Sequence, residues 1–344
     1  MIYFHNDYNE GCHPAVMERL MQLQGKQMNG YGVDSCCQIA AEKIRNACKA
    51  EDAAVHFLVG GTQTNLTVIA AALRPHHGVI GAESAHIHVH ETGSIEATGH
   101  KVLALPSADG KITARQVDDL VNAHHTSGDR EHMAKPKMVY ISHPTEWGTI
   151  YSKAELEALS RVCRKWDMYL FVDGARLGYG LTACDGDVTL EDLARLCDVF
   201  YIGGTKCGAM FGEAVVITNP ILAEDFRYHI KQRGGMLAKG WLLGAQFDAL
   251  FTNDLYLTIS AHANKLAQQL RQCLEELGCG MVTDTTTNQL FPILPDDLLN
   301  RLSREVTFSE MHRVDGSHRA VRFCTSWATT QQQVDTICAL LRRG

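Results

Sequence analysis

The stretch Met168-Tyr169-Leu170-Phe171-Val172, followed by Asp173-Gly174-Ala175-Arg176, is an apolar run that stops at an acid and a glycine. A short apolar run bounded by a turn signal reads as a buried strand. A carboxylate at its end is costly to bury unless it meets a cation or a protonated ring nitrogen. Arg176 is the local partner on offer, so a salt bridge to it is the plainer reading. The same grammar recurs along the chain. Ala54 to Val59 breaks at Gly60-Gly61-Thr62-Gln63, Met138 to Ser142 runs into His143-Pro144-Thr145-Glu146, and Val199 to Ile202 runs into Gly203-Gly204-Thr205-Lys206, with a further strand at Ala214 to Thr218. Amphipathic helices fall between these runs, at Ser35 to Ala47 with Ser35-x-x-Gln38 as a capping box, at Asn65 to Leu73, and at Ala154 to Trp166. The alternation predicts an α/β fold with a largely parallel, doubly wound sheet. Past residue 220 the strand runs thin out and a long helix is expected over Leu257 to Leu277, followed by a mixed segment containing Val321-Arg322-Phe323-Cys324. The pattern predicts a large domain over residues 1–240, including an N-terminal segment 1–20, and a smaller C-terminal α+β domain over 241–344.

Composition narrows the function. In 344 residues, 45% are hydrophobic and 21% charged, ordinary values for a globular protein. A net charge of −7 argues against a general nucleic-acid partner, which requires a basic surface. No apolar run approaches the length of a membrane span. The opening Met1-Ile2-Tyr3-Phe4-His5-Asn6-Asp7 lacks the basic start and apolar run of a secretory signal, so a cytoplasmic protein is expected. Twelve cysteines without a C-x-x-C pair read mostly as small core residues. His86, His88 and His90 would share one face if they formed a strand, a pattern that suits a metal.

Ligands of an open α/β sheet bind outside the carboxyl ends of its strands, which makes the residues after each run the informative ones. Gly60-Gly61-Thr62 places glycines and a hydroxyl at a helix N-terminus, where free N–H groups favour a phosphate. It matches neither the dinucleotide fingerprint nor the P-loop. Lys206 follows glycines that let a ligand approach the backbone. Each feature has a bland reading: a structural turn, a salt bridge, a surface lysine. Together they offer a phosphate cradle, a partner for a pyridinium nitrogen, and an amine able to condense with an aldehyde, the three requirements of pyridoxal 5'-phosphate.

With these residues assembled, the sequence resembles the fold-type-I pyridoxal-phosphate enzymes, and within them the low-specificity L-threonine aldolase or β-eliminating-lyase family. The resemblance spans nearly the whole chain. It is carried by Phe4-His5-Asn6-Asp7 with Gly11 and His13-Pro14, Tyr31-Gly32-Val33-Asp34, Gly61-Thr62-Gln63, His86 with Glu91-x-Gly93, Pro144-Thr145-Glu146, Asp173-Gly174-Ala175-Arg176, Gly203-Gly204-Thr205-Lys206, Arg233-Gly234-Gly235-Met236 and Val321-Arg322-Phe323.

The resemblance implies a transferase-like fold of that type and a set of roles. Lys206 matches the lysine that holds the cofactor, with Thr205 beside it, and Asp173 matches the carboxylate paired with the pyridine nitrogen. Gly61, Thr62 and Gln63 match the phosphate turn. His86 matches the histidine stacked on the ring, which displaces the metal reading, and no metal is assigned. Arg176 matches an arginine near the cofactor hydroxyl and the substrate carboxylate, and Arg322 the arginine that grips that carboxylate. Lys231 and Arg233 match a basic segment that reaches a neighbouring subunit's site, so a homodimer or homotetramer with shared active sites is implied. The implied reaction releases an aldehyde and glycine from a β-hydroxy-α-amino acid. It needs a base at the β-hydroxyl, for which His86 leads and His143 is in reserve. Asn6, where some relatives carry serine, Tyr31, and His90, where some carry an aromatic residue, fall on the substrate side. Rival readings are β-elimination or transamination on the same scaffold, a cofactor-binding pseudoenzyme, and a dinucleotide oxidoreductase.

Overall fold

The computed structural model describes residues 1–343. Seven strands form the central sheet: β1 (Ala54–Leu58), β2 (His77–Ala82), β3 (Lys101–Leu105), β4 (Lys135–Ser142), β5 (Tyr169–Asp173), β6 (Val199–Gly203) and β7 (Glu213–Ile217). Their order across the sheet is β1-β7-β6-β5-β4-β2-β3. The block from β6 to β3 is parallel, while β7 runs antiparallel to both β1 and β6. The expected strands and helices are present. Two strands, β2 and β3, had no counterpart in the sequence reading. Every residue of β2, β6 and β7 is buried, as expected where both faces of a sheet are covered.

Details at three element ends differ from expectation. Asp34, not Ser35, caps the helix Ser35–Cys48, because its Oδ1 accepts the Cys37 N–H at 2.8 Å. The helix expected from Asn65 begins at Gly61, directly after the glycine turn. His86 to Val89 form one helical turn rather than a strand, so the three histidines do not line up on one face.

The C-terminal part is a smaller antiparallel sheet in which His318–Cys324 pairs with Gln289–Leu290, Pro292–Pro295 and Ser309–Arg313. Its core takes Leu266, Leu270 and Leu274 from the long helix Leu255–Glu276, Ile337 and Leu341 from Gln331–Arg342, and Phe4. Upstream on the same long helix, Tyr256, Ile259 and Ala263 belong to the large core. The buried clusters therefore divide inside this helix rather than at 240/241. The chain start also crosses over: Ile2–Tyr3 pairs with Val306–Thr307 and Phe4 packs in the small core, while Val16, further along the same N-terminal segment, belongs to the large core.

Nine of the twelve free cysteines are buried, filling small apolar gaps. Among the described residues, no helix is long and apolar enough to cross a membrane.

Candidate active site

The carboxyl ends of the parallel strands open on a cavity of about 350 Å³ lined by Gly60, Gly61, Thr62, His86, Glu146, Asp173, Arg176, Tyr201, Thr205, Lys206, Glu213 and neighbours. Close backbone approach builds its floor. A Cβ on Gly174 would lie 1.9 Å from the Tyr201 carbonyl oxygen, and one on Gly203 would lie 2.4 Å from that of Ala175. Only glycine lets the turns carrying Asp173 and Lys206 pack this closely.

Asp173 ends β5 and is almost fully buried. Its Oδ1 accepts the Tyr201 hydroxyl at 2.5 Å and the Ala175 N–H at 2.9 Å, and its Oδ2 accepts the Tyr140 hydroxyl at 2.5 Å and the Asn65 amide at 3.0 Å. Burial would push this carboxyl up, but the two phenols and the backbone N–H outweigh it and hold Asp173 below its ordinary value. The salt bridge to Arg176 is absent. Arg176 instead forms a two-pronged pair with Asp7, Nε to Oδ2 at 2.7 Å and Nη2 to Oδ1 at 2.9 Å, and Asn288 donates to the same Asp7 at 2.9 Å. One buried carboxylate thus ties together the chain start, the large sheet and the small domain.

The Lys206 amine makes no hydrogen bond or ion pair among the described residues, although its carbonyl accepts the Tyr179 hydroxyl. Burial lowers its pKa, and the nearby Arg176 charge adds to the effect against the opposing Asp7 and Asp173. The helix Gly61–Ala72 begins beside it. Gly60, its cap residue, has no side chain to satisfy the first-turn N–H groups, which leaves them for a ligand.

His86 bonds to a second carboxylate. Its Nδ1 lies 2.8 Å from Glu91 Oε1, and its backbone N–H donates to Glu146 Oε1 at 2.9 Å. Burial would lower the imidazole pKa, but the Glu91 bond and the Asp173 charge raise it above the ordinary value. Asn65 joins the two acids, since its Nδ2 donates to Glu91 Oε1 at 2.7 Å as well as to Asp173 Oδ2.

Several expected residues do not reach this cavity. His143 is buried behind it, with Nδ1 accepting the Tyr151 N–H at 3.3 Å and burial holding its pKa down at about 4. Its ring lies against Gly180 and does not line the cavity. Gln63 instead binds the Arg233 carbonyl through Nε2 at 3.1 Å. Lys231 sits over the Tyr31 ring at 5.0 Å, Arg233 bonds Gln232, and none of Tyr31, Lys231 and Arg233 lines the cavity of their own chain. Asn6 accepts the Tyr8 N–H, and Tyr8 rather than Asn6 lines the cavity. Arg322 donates to the His5 carbonyl at 3.0 Å. His90 is exposed, 5.7 Å from the His86 ring. Sequence reasoning missed Asn65, Tyr140, Tyr201, Glu213 and the role of Asp7. Of these, only Asp7 stood in a motif already quoted.

The fold and the donor set fit pyridoxal 5'-phosphate: an unpaired amine, a firmly ionised carboxylate facing the same cavity, and free N–H groups at a helix start. This is a fold-type-I pyridoxal-phosphate enzyme. The family model described as beta-eliminating lyase matches residues 9–296, and the chain belongs to that family. A threonine aldolase structure from Leishmania major is 43% identical with a TM-score of 0.97, covering 100% of this chain and 99% of the other. The low specificity L-threonine aldolase of Pseudomonas aeruginosa is 28% identical over 98% of this chain and 96% of its own length. A structure of a putative L-allo-threonine aldolase from Listeria monocytogenes, 18% identical with a TM-score of 0.74 over 98% of this chain and 96% of its own, shares the fold.

Proposed function

We propose that this chain is an aldolase that cleaves the Cα–Cβ bond of L-threonine, L-allo-threonine and related β-hydroxy-α-amino acids, giving glycine and an aldehyde. The observation that carries this reading is the unpaired Lys206 amine facing the same cavity as a carboxylate with four donors. When bound, the cofactor supplies an electron sink for the pair left at Cα. Lys206, with its pKa lowered, keeps a larger neutral fraction than a surface lysine and so remains nucleophilic. Asp173 stays ionised and favours a protonated pyridine nitrogen. Gly61, Thr62 and Thr205 hold the phosphate.

His86 is the base at the substrate's β-hydroxyl. With Nδ1–H directed to Glu91, Nε2 is the nitrogen that carries a lone pair. Its raised pKa makes it a stronger base and places the acid limb of the rate above the ordinary histidine value. Arg176 is fixed by Asp7 through Nε and Nη2, which leaves Nη1 for a substrate carboxylate.

The placement of Lys231 and Arg233 outside this cavity supports a homodimer or homotetramer in which they serve a neighbouring site. The twelve free thiols support a cytoplasmic setting. The test is product analysis with L-threonine, L-allo-threonine and phenylserine. Glycine with acetaldehyde or benzaldehyde is expected, whereas a keto acid in their place contradicts the aldolase reading.

A further inference from the structure

Glu213 opens β7, opposite Leu58 at the end of β1 and Gly203 at the end of β6. It therefore lies between the turn that begins the phosphate-side helix and the turn that carries Lys206. Its carboxyl is buried and lines the cavity. One oxygen, Oε1, lies 3.2 Å from Thr205 Oγ1, and the other, Oε2, is buried without a partner. An ionised carboxylate has about four lone-pair sites to satisfy. Here a single long contact meets one of them. The Gly204 N–H is close by but donates to the Gly212 carbonyl at 3.0 Å.

The groups facing Glu213 are Lys206 and Cys207 on the connection after β6, Asp173 at the end of β5, Tyr201 in β6 and Tyr256 on the long helix. Burial pushes the carboxyl up and Asp173 adds to it, while Lys206, the Thr205 contact and the nearby Gly204 N–H oppose it, and the result is about 8.

Thr205 Oγ1 already accepts the Gly212 N–H at 3.0 Å. One acceptor position and one proton remain to it. An ionised Glu213 would take that proton and leave the hydroxyl nothing to donate into the cavity. A protonated Glu213 donates to Oγ1, and the Thr205 O–H turns toward the cavity, where a phosphate group is an acceptor of hydrogen bonds. We propose that the Glu213 carboxylic acid is a positioning residue that fixes the Thr205 hydroxyl as a donor to the cofactor's phosphate, by directing its own proton to Thr205 Oγ1. The inference rests on the reading of this cavity as the pyridoxal-phosphate site and adds the residue that orients one of its donors.

The experiment compares affinities of the apoprotein for pyridoxal 5'-phosphate and for pyridoxal, followed by absorbance and fluorescence between pH 7.5 and 9.5. The phosphate's second ionisation, near 6, is complete across this range. Taking the ratio of the two affinities cancels the titration of Lys206, which both aldehydes share. In the wild type the ratio is expected to fall by about tenfold as pH rises, the size of one hydrogen bond to a charged group. Glu213→Gln, whose amide donates to Thr205 at every pH, should keep the ratio high and flat. Thr205→Ser should retain the fall and Thr205→Ala should abolish it. Thermal melts of each apoprotein show that the variants remain folded. A Glu213→Gln ratio as steep as that of the wild type, or one as low at pH 7.5 as that of Thr205→Ala, would overturn the inference. If the wild type binds neither aldehyde, the reading of the cavity itself fails, which is a separate outcome from a ratio that ignores Glu213.

Discussion

Asp173 and Glu213 stand at strand ends on either side of β6, face one cavity and are both buried, yet their carboxyls shift in opposite directions. Asp173 has four donors at 2.5 to 3.0 Å, while Glu213 has a single hydroxyl contact at 3.2 Å and an unpartnered oxygen. Burial raises both. The number and quality of hydrogen-bond donors, not depth, decides which one remains an anion. The cavity therefore offers an anion at one place and a proton at another.

Substitutions at the Asp173 end break this contrast most strongly. Asp173→Asn keeps the shape but removes the negative charge, and turnover is expected to fall by roughly 10³-fold, comparable to losing a preorganised electrostatic group. Steady-state kinetics on L-threonine check it, and a loss under tenfold would show that the charge is not needed. Removing donors sharpens the comparison by moving Asp173 toward the condition of Glu213. Tyr140→Phe should cost about tenfold in turnover, the weight of one charged hydrogen bond, and the double variant with Tyr201→Phe should cost more. The smallest effect is expected at Glu91. Glu91→Gln weakens the bond that raises the His86 pKa, so the acid limb of the pH–rate profile should move to lower pH by about one unit. An unmoved limb would assign it to another group.

The same contrast explains what the sequence made legible. Asp173 and Lys206 stood out because each follows a short apolar run and is flanked by glycines, a signal contained within ten residues. The strands β2 and β3 stayed hidden: His77-Gly78-Val79-Ile80-Gly81-Ala82 carries two glycines, and Lys101–Leu105 is a short edge strand. Asn65, Tyr140 and Tyr201 lie inside a helix and two strands, where an isolated polar residue looks like part of the core. Glu213 is hidden because the apolar run of β7 begins only at Ala214, one residue after the strand itself. The partner of Arg176 is the hardest case. Local spacing offers Asp173, three residues away, but the fold delivers Asp7 from 169 residues upstream. Which carboxylate an arginine meets depends on how the N-terminal segment docks, and no local pattern encodes that. For the same reason His143 looked available in the loop after β4, while its ring turns inward against Gly180.

Cofactor binding in this cavity depends first on Lys206. Wild-type protein saturated with pyridoxal 5'-phosphate, reduced with borohydride and digested, should yield one phosphopyridoxyl-labelled peptide, with the label on Lys206 and none in Lys206→Ala. An unlabelled Lys206, or a label spread equally over surface lysines, would contradict it.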